Sequence, residues 1–143
     1  MGQGEYIQFY SPGRKVAHMK GRILYIEDNE QNLYLITFLL RKNGYEVLQA
    51  RDGPEGIEAA TRHKPDMILL DIQLSSMDGH AVARVLRANP NLILIPIVAV
   101  TSYAMVGDRE KAFSAGCSGF IEKPINPDTF IAQIEEYLLL GAS

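Results

Sequence analysis

The chain has 143 residues, of which 47% are hydrophobic and 22% charged, and 14 Lys and Arg against 17 Asp and Glu give a net charge of -3. That length bounds a single domain with a real core, and the mildly acidic balance argues against nucleic-acid binding through a general basic surface. The one cysteine, Cys117, excludes an internal disulfide and reads as a small buried residue, and no apolar run approaches the roughly 18 residues that span a bilayer.

Residues 1–20 carry no sustained periodicity, because Gly2, Gly4, Ser11, Pro12 and Gly13 break any pattern. The stretch reads as a flexible tail, native or added in cloning, with Met19 a candidate natural start. Its polar, glycine-containing beginning is not that of a signal peptide, so a reducing cytoplasm is the expected compartment. From Gly21 short apolar runs alternate with helical periods, the pattern of a βα-repeating fold with a parallel sheet. One domain over 21–140 is expected, with 141–143 as a short C-terminal tail.

The first strand is predicted near 22–26 and is closed by Glu27 and Asp28. A helix near 30–42 follows and stops at Asn43-Gly44. Next come a strand near 45–50 and a helix near 54–63 that Lys64-Pro65 ends. The strand near 66–70 is closed by Asp71. A helix near 78–88 starts at Asp78 and stops at Asn89-Pro90-Asn91. A strand near 95–100, a helix near 105–115 ended by Gly116, a strand near 118–122 and a helix near 127–139 opening on Pro127 complete the chain. On the first helix Asn32, Leu35, Ile36 and Leu39 share a side and are expected to meet the sheet. That phase turns Leu33, Tyr34 and Phe38 outward as an apolar cluster suited to a partner. His18, His63 and His80 lack ligand spacing and read as surface or cap residues.

Short strands buried on both faces end here in charge. If they lie parallel, Glu27, Asp28, Asp71 and Lys123 converge at one edge of the sheet, in the crevice where open α/β sheets bind ligands. Clustered carboxylates repel one another, and a hard divalent cation such as Mg²⁺ relieves that repulsion. The arrangement suits the handling of a phosphoryl group. Periodicity by itself establishes only the βα repeat.

Taken together, Glu27-Asp28-Asn29, Asp71-Ile72-Gln73-Leu74 with Met77-Asp78-Gly79, Ile97-Val98-Ala99-Val100-Thr101 and Lys123-Pro124 resemble the receiver domain of two-component response regulators, from Gly21 to Leu140. The resemblance is to stand-alone receivers and to those of hybrid histidine kinases. It implies a flavodoxin-like (βα)5 fold with a parallel sheet of order 2-1-3-4-5. It implies that Asp71 accepts phosphate from a histidine kinase or histidine phosphotransfer protein. Asp28, Asp71 and the Gln73 carbonyl would then ligate Mg²⁺, with Glu27 assisting. Lys123 would pair with Asp71 at rest, Thr101 would donate its hydroxyl to the phosphoryl group, and the Lys123–Pro124 bond would be cis. Thr101 and Phe120 would form the switch that carries the signal to a downstream protein through the fourth helix, fifth strand and fifth helix. The first helix would dock the phosphodonor. Only donor-driven self-phosphorylation and slow self-dephosphorylation are expected, with no enzymatic turnover, no direct DNA binding and no membrane.

The chain departs from that pattern in places. Ser75 stands where the family usually has proline, so the loop after Asp71 loses a fixed φ and is expected to be more mobile. Phe120 replaces a frequent tyrosine and cannot donate a hydroxyl bond. Tyr103, with Gln73, flanks the expected phosphate position, and its bulk would hinder the hydrolytic water. An aspartyl phosphatase is disfavoured because Gln73 replaces a second acid. A nucleotide or flavin module is disfavoured because no Gly-rich loop follows the first strand. The alternative of a non-phosphorylated pseudo-receiver, acting as a protein-binding module, sits poorly with the intact Asp28, Asp71, Thr101 and Lys123. No helix-turn-helix module follows the last helix in this sequence.

Overall fold

The computed structural model describes residues 20–102 and 105–142. The reading of the first 19 residues as a tail and the placement of Tyr103 lie outside the described residues. Five strands alternate with five α-helices: β1 Gly21–Ile26, α1 Glu30–Lys42, β2 Tyr45–Ala50, α2 Gly53–His63, β3 Met67–Asp71, α3 Gly79–Ala88, β4 Ile97–Thr101, α4 Asp108–Ser114, β5 Gly119–Glu122 and α5 Pro127–Ala142. A 3₁₀ turn, Pro90–Leu92, links α3 to β4. All strand pairings are parallel and the order is β2-β1-β3-β4-β5, the flavodoxin-like receiver arrangement.

Alternation along each strand divides the core in two. Leu24, Ile26, Ile68, Leu70, Ile97 and Ala99 face one layer with Ala60, Val82, Leu86, Ala112 and the buried Cys117. Ile23, Tyr25, Met67, Leu69, Val98 and Val100 face the other with Leu33, Ile36, Leu40, Phe130 and Ile134. So α1 and α5 cover one face, while α2, α3 and α4 cover the other. Both layers are apolar, which is why the strands read as continuous runs.

Helix ends follow local chemistry. Asn29 caps α1 by accepting the Asn32 N–H at 2.9 Å, and Asp52 caps α2 by accepting the Glu55 N–H at 2.8 Å. The cap of α3 is Asp78, which accepts the His80 N–H at 3.2 Å. Lys64 adopts a left-handed conformation (φ 45°) just before Pro65 and stops α2.

Two sequence expectations need correction. In α1 the inward stripe is Leu33, Ile36, Thr37 and Leu40, so Leu33 belongs to the core and Leu35 to the surface. Apolar residues occupy almost every side of this helix, and one inward position is held by Thr37, whose hydroxyl accepts a hydrogen bond from Gln49 Nε2 at 3.0 Å. Helix α4 begins at Asp108 and not near 105, because Gly107 sits at φ 92° and cannot continue a right-handed turn there.

One partly buried cation stitches this scaffold. The Arg87 guanidinium donates to the carbonyls of Gly116, Leu92, Ile93 and Ile95 at 2.9–3.1 Å and to Ser118 Oγ at 3.3 Å. It thereby ties α3 to the segments that enter β4 and β5.

Candidate functional site

The parallel sheet brings the carboxyl ends of β1, β3, β4 and β5 to one edge. Glu27 and Asp28 follow β1 directly, Asp71 is the last residue of β3, Thr101 the last of β4, and Lys123 follows β5. Glu27, Asp71 and Thr101 are at most 3% exposed, and Asp28 is half-buried. Backbone bonds carry the sheet one step past its strands, from Glu27 N–H to Ala50 O (2.9 Å), Ile72 N–H to Val100 O (3.0 Å) and Lys123 N–H to Thr101 O (2.7 Å). These side chains thus leave from hydrogen-bonded backbone. The Lys123–Pro124 peptide bond is cis.

Gly79 completes this frame from below. A Cβ on it would lie 2.5 Å from Ile72 Cα and 2.8 Å from Asp71 O. Only a glycine lets the first turn of α3 press this closely against the backbone that carries Asp71.

Lys123 Nζ donates to Glu27 Oε1 at 2.8 Å and stands 3.8 Å from Asp71 Oδ2. The lysine thus ion-pairs with Asp71, the resting partner expected from the sequence, and also with Glu27, which makes the shorter contact and takes the hydrogen bond. The two carboxylates thus share one cation, and Glu27 is held by further donors. Tyr25 OH donates to Glu27 Oε1 at 2.7 Å, and the Asn29 N–H donates to Oε2 at 3.2 Å. Asp71 Oδ1 accepts the Gln73 N–H at 2.9 Å, and the Gln73 side-chain Oε1 accepts the Ser102 N–H at 2.9 Å.

Burial, followed by Glu27 beside it, pushes the Asp71 carboxyl up to about 7, against the opposing pull of the Gln73 N–H and Lys123. Burial would raise Glu27 as well, but hydrogen bonds with Asp71, Lys123 and Tyr25 outweigh it and hold Glu27 below its ordinary value. Asp28 is also lowered, chiefly by the Ser75 hydroxyl. Of the three acids, Asp71 alone is shifted upward.

Glu27, Asp28 and Asp71 each offer one carboxylate oxygen, and these atoms lie within 4.8 Å of one another. Three hard oxygen donors against one lysine leave an excess of negative charge. That donor set fits a hard divalent cation.

Two residues here escaped the sequence reading. Tyr25 was read only as part of an apolar run, although a buried phenol needs a hydrogen-bond partner and Glu27 is two residues on. Ser75 was expected to loosen its loop. Instead its N–H donates to Asp28 Oδ2 at 2.9 Å and its hydroxyl donates to the same oxygen. Phe120 is half-buried against the first core layer, 5.9 Å from the Arg109 guanidinium. His63 is exposed and His80 Nδ1 lies 3.4 Å from Asp78 Oδ1, away from the acids.

A doubly wound sheet with an acid cluster and a lysine at its carboxyl edge has the geometry of a phosphoryl-handling site, and sequence comparison supplies the class. The family model described as the response regulator receiver domain matches residues 23–135. The polar-differentiation response regulator DivK of Brucella anthropi is 41% identical over 120 residues, covering 84% of this chain and 98% of that protein. The DivK of Brucella ovis matches to the same extent. Among solved structures, the receiver domain of the sensor histidine kinase PA1611 from Pseudomonas aeruginosa PAO1, with a magnesium ion coordinated in its active-site cleft, is 34% identical. It has a TM-score of 0.77 and covers 82% of this chain and 97% of its own. The BeF3-activated receiver domain of Klebsiella pneumoniae RstA is 31% identical with a TM-score of 0.76, covering 82% and 97%. The chain belongs to the response regulator receiver domain family and is a two-component signalling protein, not a conventional enzyme. Among the described residues no helix is long and apolar enough to cross a membrane.

Proposed function

We propose that Asp71 is the phosphoacceptor of a two-component phosphorelay, taking its phosphoryl group from a histidine kinase or histidine phosphotransfer protein in a Mg²⁺-dependent reaction. The observation that carries this reading is the buried Asp71 carboxylate at the end of a central strand, with Glu27, Asp28 and Lys123 gathered around it. An ionised Asp71 oxygen attacks phosphorus in line. The phosphorus–nitrogen bond of the donor imidazole breaks, and its electron pair leaves with the nitrogen. Asp28, Asp71 and the Gln73 backbone carbonyl would hold Mg²⁺, with Glu27 assisting. The bound ion supplies charge neutralisation for the phosphoryl oxygens.

The chain's own groups do the rest. Lys123 moves from Glu27 toward a phosphoryl oxygen, a short step given its 3.8 Å distance from Asp71. The Thr101 hydroxyl donates to another oxygen, and Phe120 turns inward as Thr101 moves. The readout surface is the groove of 430 Å³ lined by Met105 just before α4 and by residues of α4, β5 and α5, among them Arg109, Phe120 and Gln133. Phosphate then biases a two-state equilibrium between the site and this face.

For the phosphodonor the docking face is on α1. Tyr34 is 74% and Phe38 51% exposed, and with Thr37, Arg41, Lys42 and Gln49 they line a groove of 490 Å³. Leu33 is buried and is no part of this face. The compartment that fits this chemistry is a reducing cytoplasm.

Intact mass after incubation with acetyl phosphate tests the proposal. One added phosphoryl group that requires both Mg²⁺ and Asp71 supports it. No added mass at any time in folded protein, or equal labelling of Asp71→Asn, overturns it and favours a pseudo-receiver that only binds partners.

A further inference from the structure

Asp28 is the one half-exposed acid of the three, so packing alone does not fix its side chain. Ser75 does so, through two donors that converge on Oδ2 from 47 positions away in the chain. The contact fastens the loop after β3 to the end of β1. On the other side, Gln73 fastens the same loop to the end of β4 by accepting the Ser102 N–H. The loop is thus tied to the strands on either side of β3, and one tie lands on a candidate cation ligand.

We infer that Ser75 is a positioning residue of the cation site, whose paired N–H and O–H donors hold Asp28 in the orientation needed to ligate a divalent cation together with Asp71. The inference rests on the reading of the acid cluster as a cation site. Chemistry favours support over competition. A carboxylate has about four acceptor positions on its two oxygens, and Ser75 uses positions on one oxygen only. Hydrogen bonds to a ligating carboxylate orient it, and losing them typically weakens metal binding about 10–100-fold. The two donors can be separated by substitution. Alanine removes the hydroxyl alone, proline removes both donors, and threonine keeps both.

The test is calorimetric titration of the full chain with MgCl₂ at constant pH, for wild type, Ser75→Ala, Ser75→Thr, Ser75→Pro and Asp28→Asn. Circular dichroism confirms folding, and Ser75→Ala and Ser75→Thr carry the comparison should the proline variant not fold. Ser75→Ala is expected to bind Mg²⁺ about tenfold more weakly, with Ser75→Thr close to wild type and Asp28→Asn the weakest. If wild type binds and Asp28→Asn does not, yet folded Ser75→Ala matches or exceeds wild type, the role of Ser75 is overturned while the cation site stands. If wild type binds no Mg²⁺, the cation site falls and this inference falls with it.

Discussion

Replacing Asp71 with asparagine should remove a pH dependence from the stability of the cation-free protein. Burial and Glu27 lift the Asp71 carboxyl from 3.8 to about 7. Between those values the folded chain retains a proton on Asp71 that the unfolded chain has released. The folded state therefore binds more protons, and stability falls as pH rises through the interval. At ~1.4 kcal/mol per pH unit, the loss amounts to about 2–3 kcal/mol between about pH 5 and about pH 8. Glu27 and Asp28 are shifted the other way, so their stabilising contributions are lost only as pH falls below the ordinary carboxylate range, outside this window. Urea denaturation in the presence of a chelator, at several pH values for wild type and Asp71→Asn, measures the difference. Wild type should lose stability toward alkaline pH by about this amount relative to Asp71→Asn. Parallel curves for the two proteins would refute the reasoning that burial and Glu27 raise Asp71.

Three other perturbations probe the scaffold and the partner face. Gly79→Ala forces a methyl group to within 2.5 Å of Ile72 Cα, so it should destabilise the fold by about 1–3 kcal/mol in denaturant titration and slow labelling by acetyl phosphate. Arg87→Ala removes the donor shared by four carbonyls and Ser118 and should cost about 2–4 kcal/mol of stability, read from the urea midpoint, with Mg²⁺ affinity unchanged. Phe38→Ala should slow phosphotransfer from a protein donor while sparing acetyl phosphate, and equal loss with both donors would place its effect on folding instead.

Legibility in the sequence tracked the physical strength of each signal. Runs such as Ile23–Ile26 and Met67–Leu70 are buried on both faces, and a charged residue after each marks where the strand leaves the core. Fold class and the convergence of Glu27, Asp28, Asp71 and Lys123 could be read from that contrast. The phase of α1 could not, because Leu33, Leu35, Ile36, Phe38, Leu39 and Leu40 surround the helix and a threonine holds one inward position. Nor could the added hydrogen bond of Lys123 to Glu27, made between residues 96 positions apart. Ser75 was misread for a related reason. A missing proline reads as lost restraint, while the N–H that serine restores and the hydroxyl it adds find their acceptor only in three dimensions.

The most direct measurement is to locate the phosphoryl group itself. Protein labelled with acetyl phosphate and Mg²⁺ is treated with borohydride, which reduces an acyl phosphate to the alcohol, and peptide mass spectrometry then finds the converted residue. Homoserine at position 71, absent without Mg²⁺, is the predicted result. Conversion at Asp28 or at any other acid, with position 71 unchanged, would contradict the assignment of Asp71 as the phosphoacceptor.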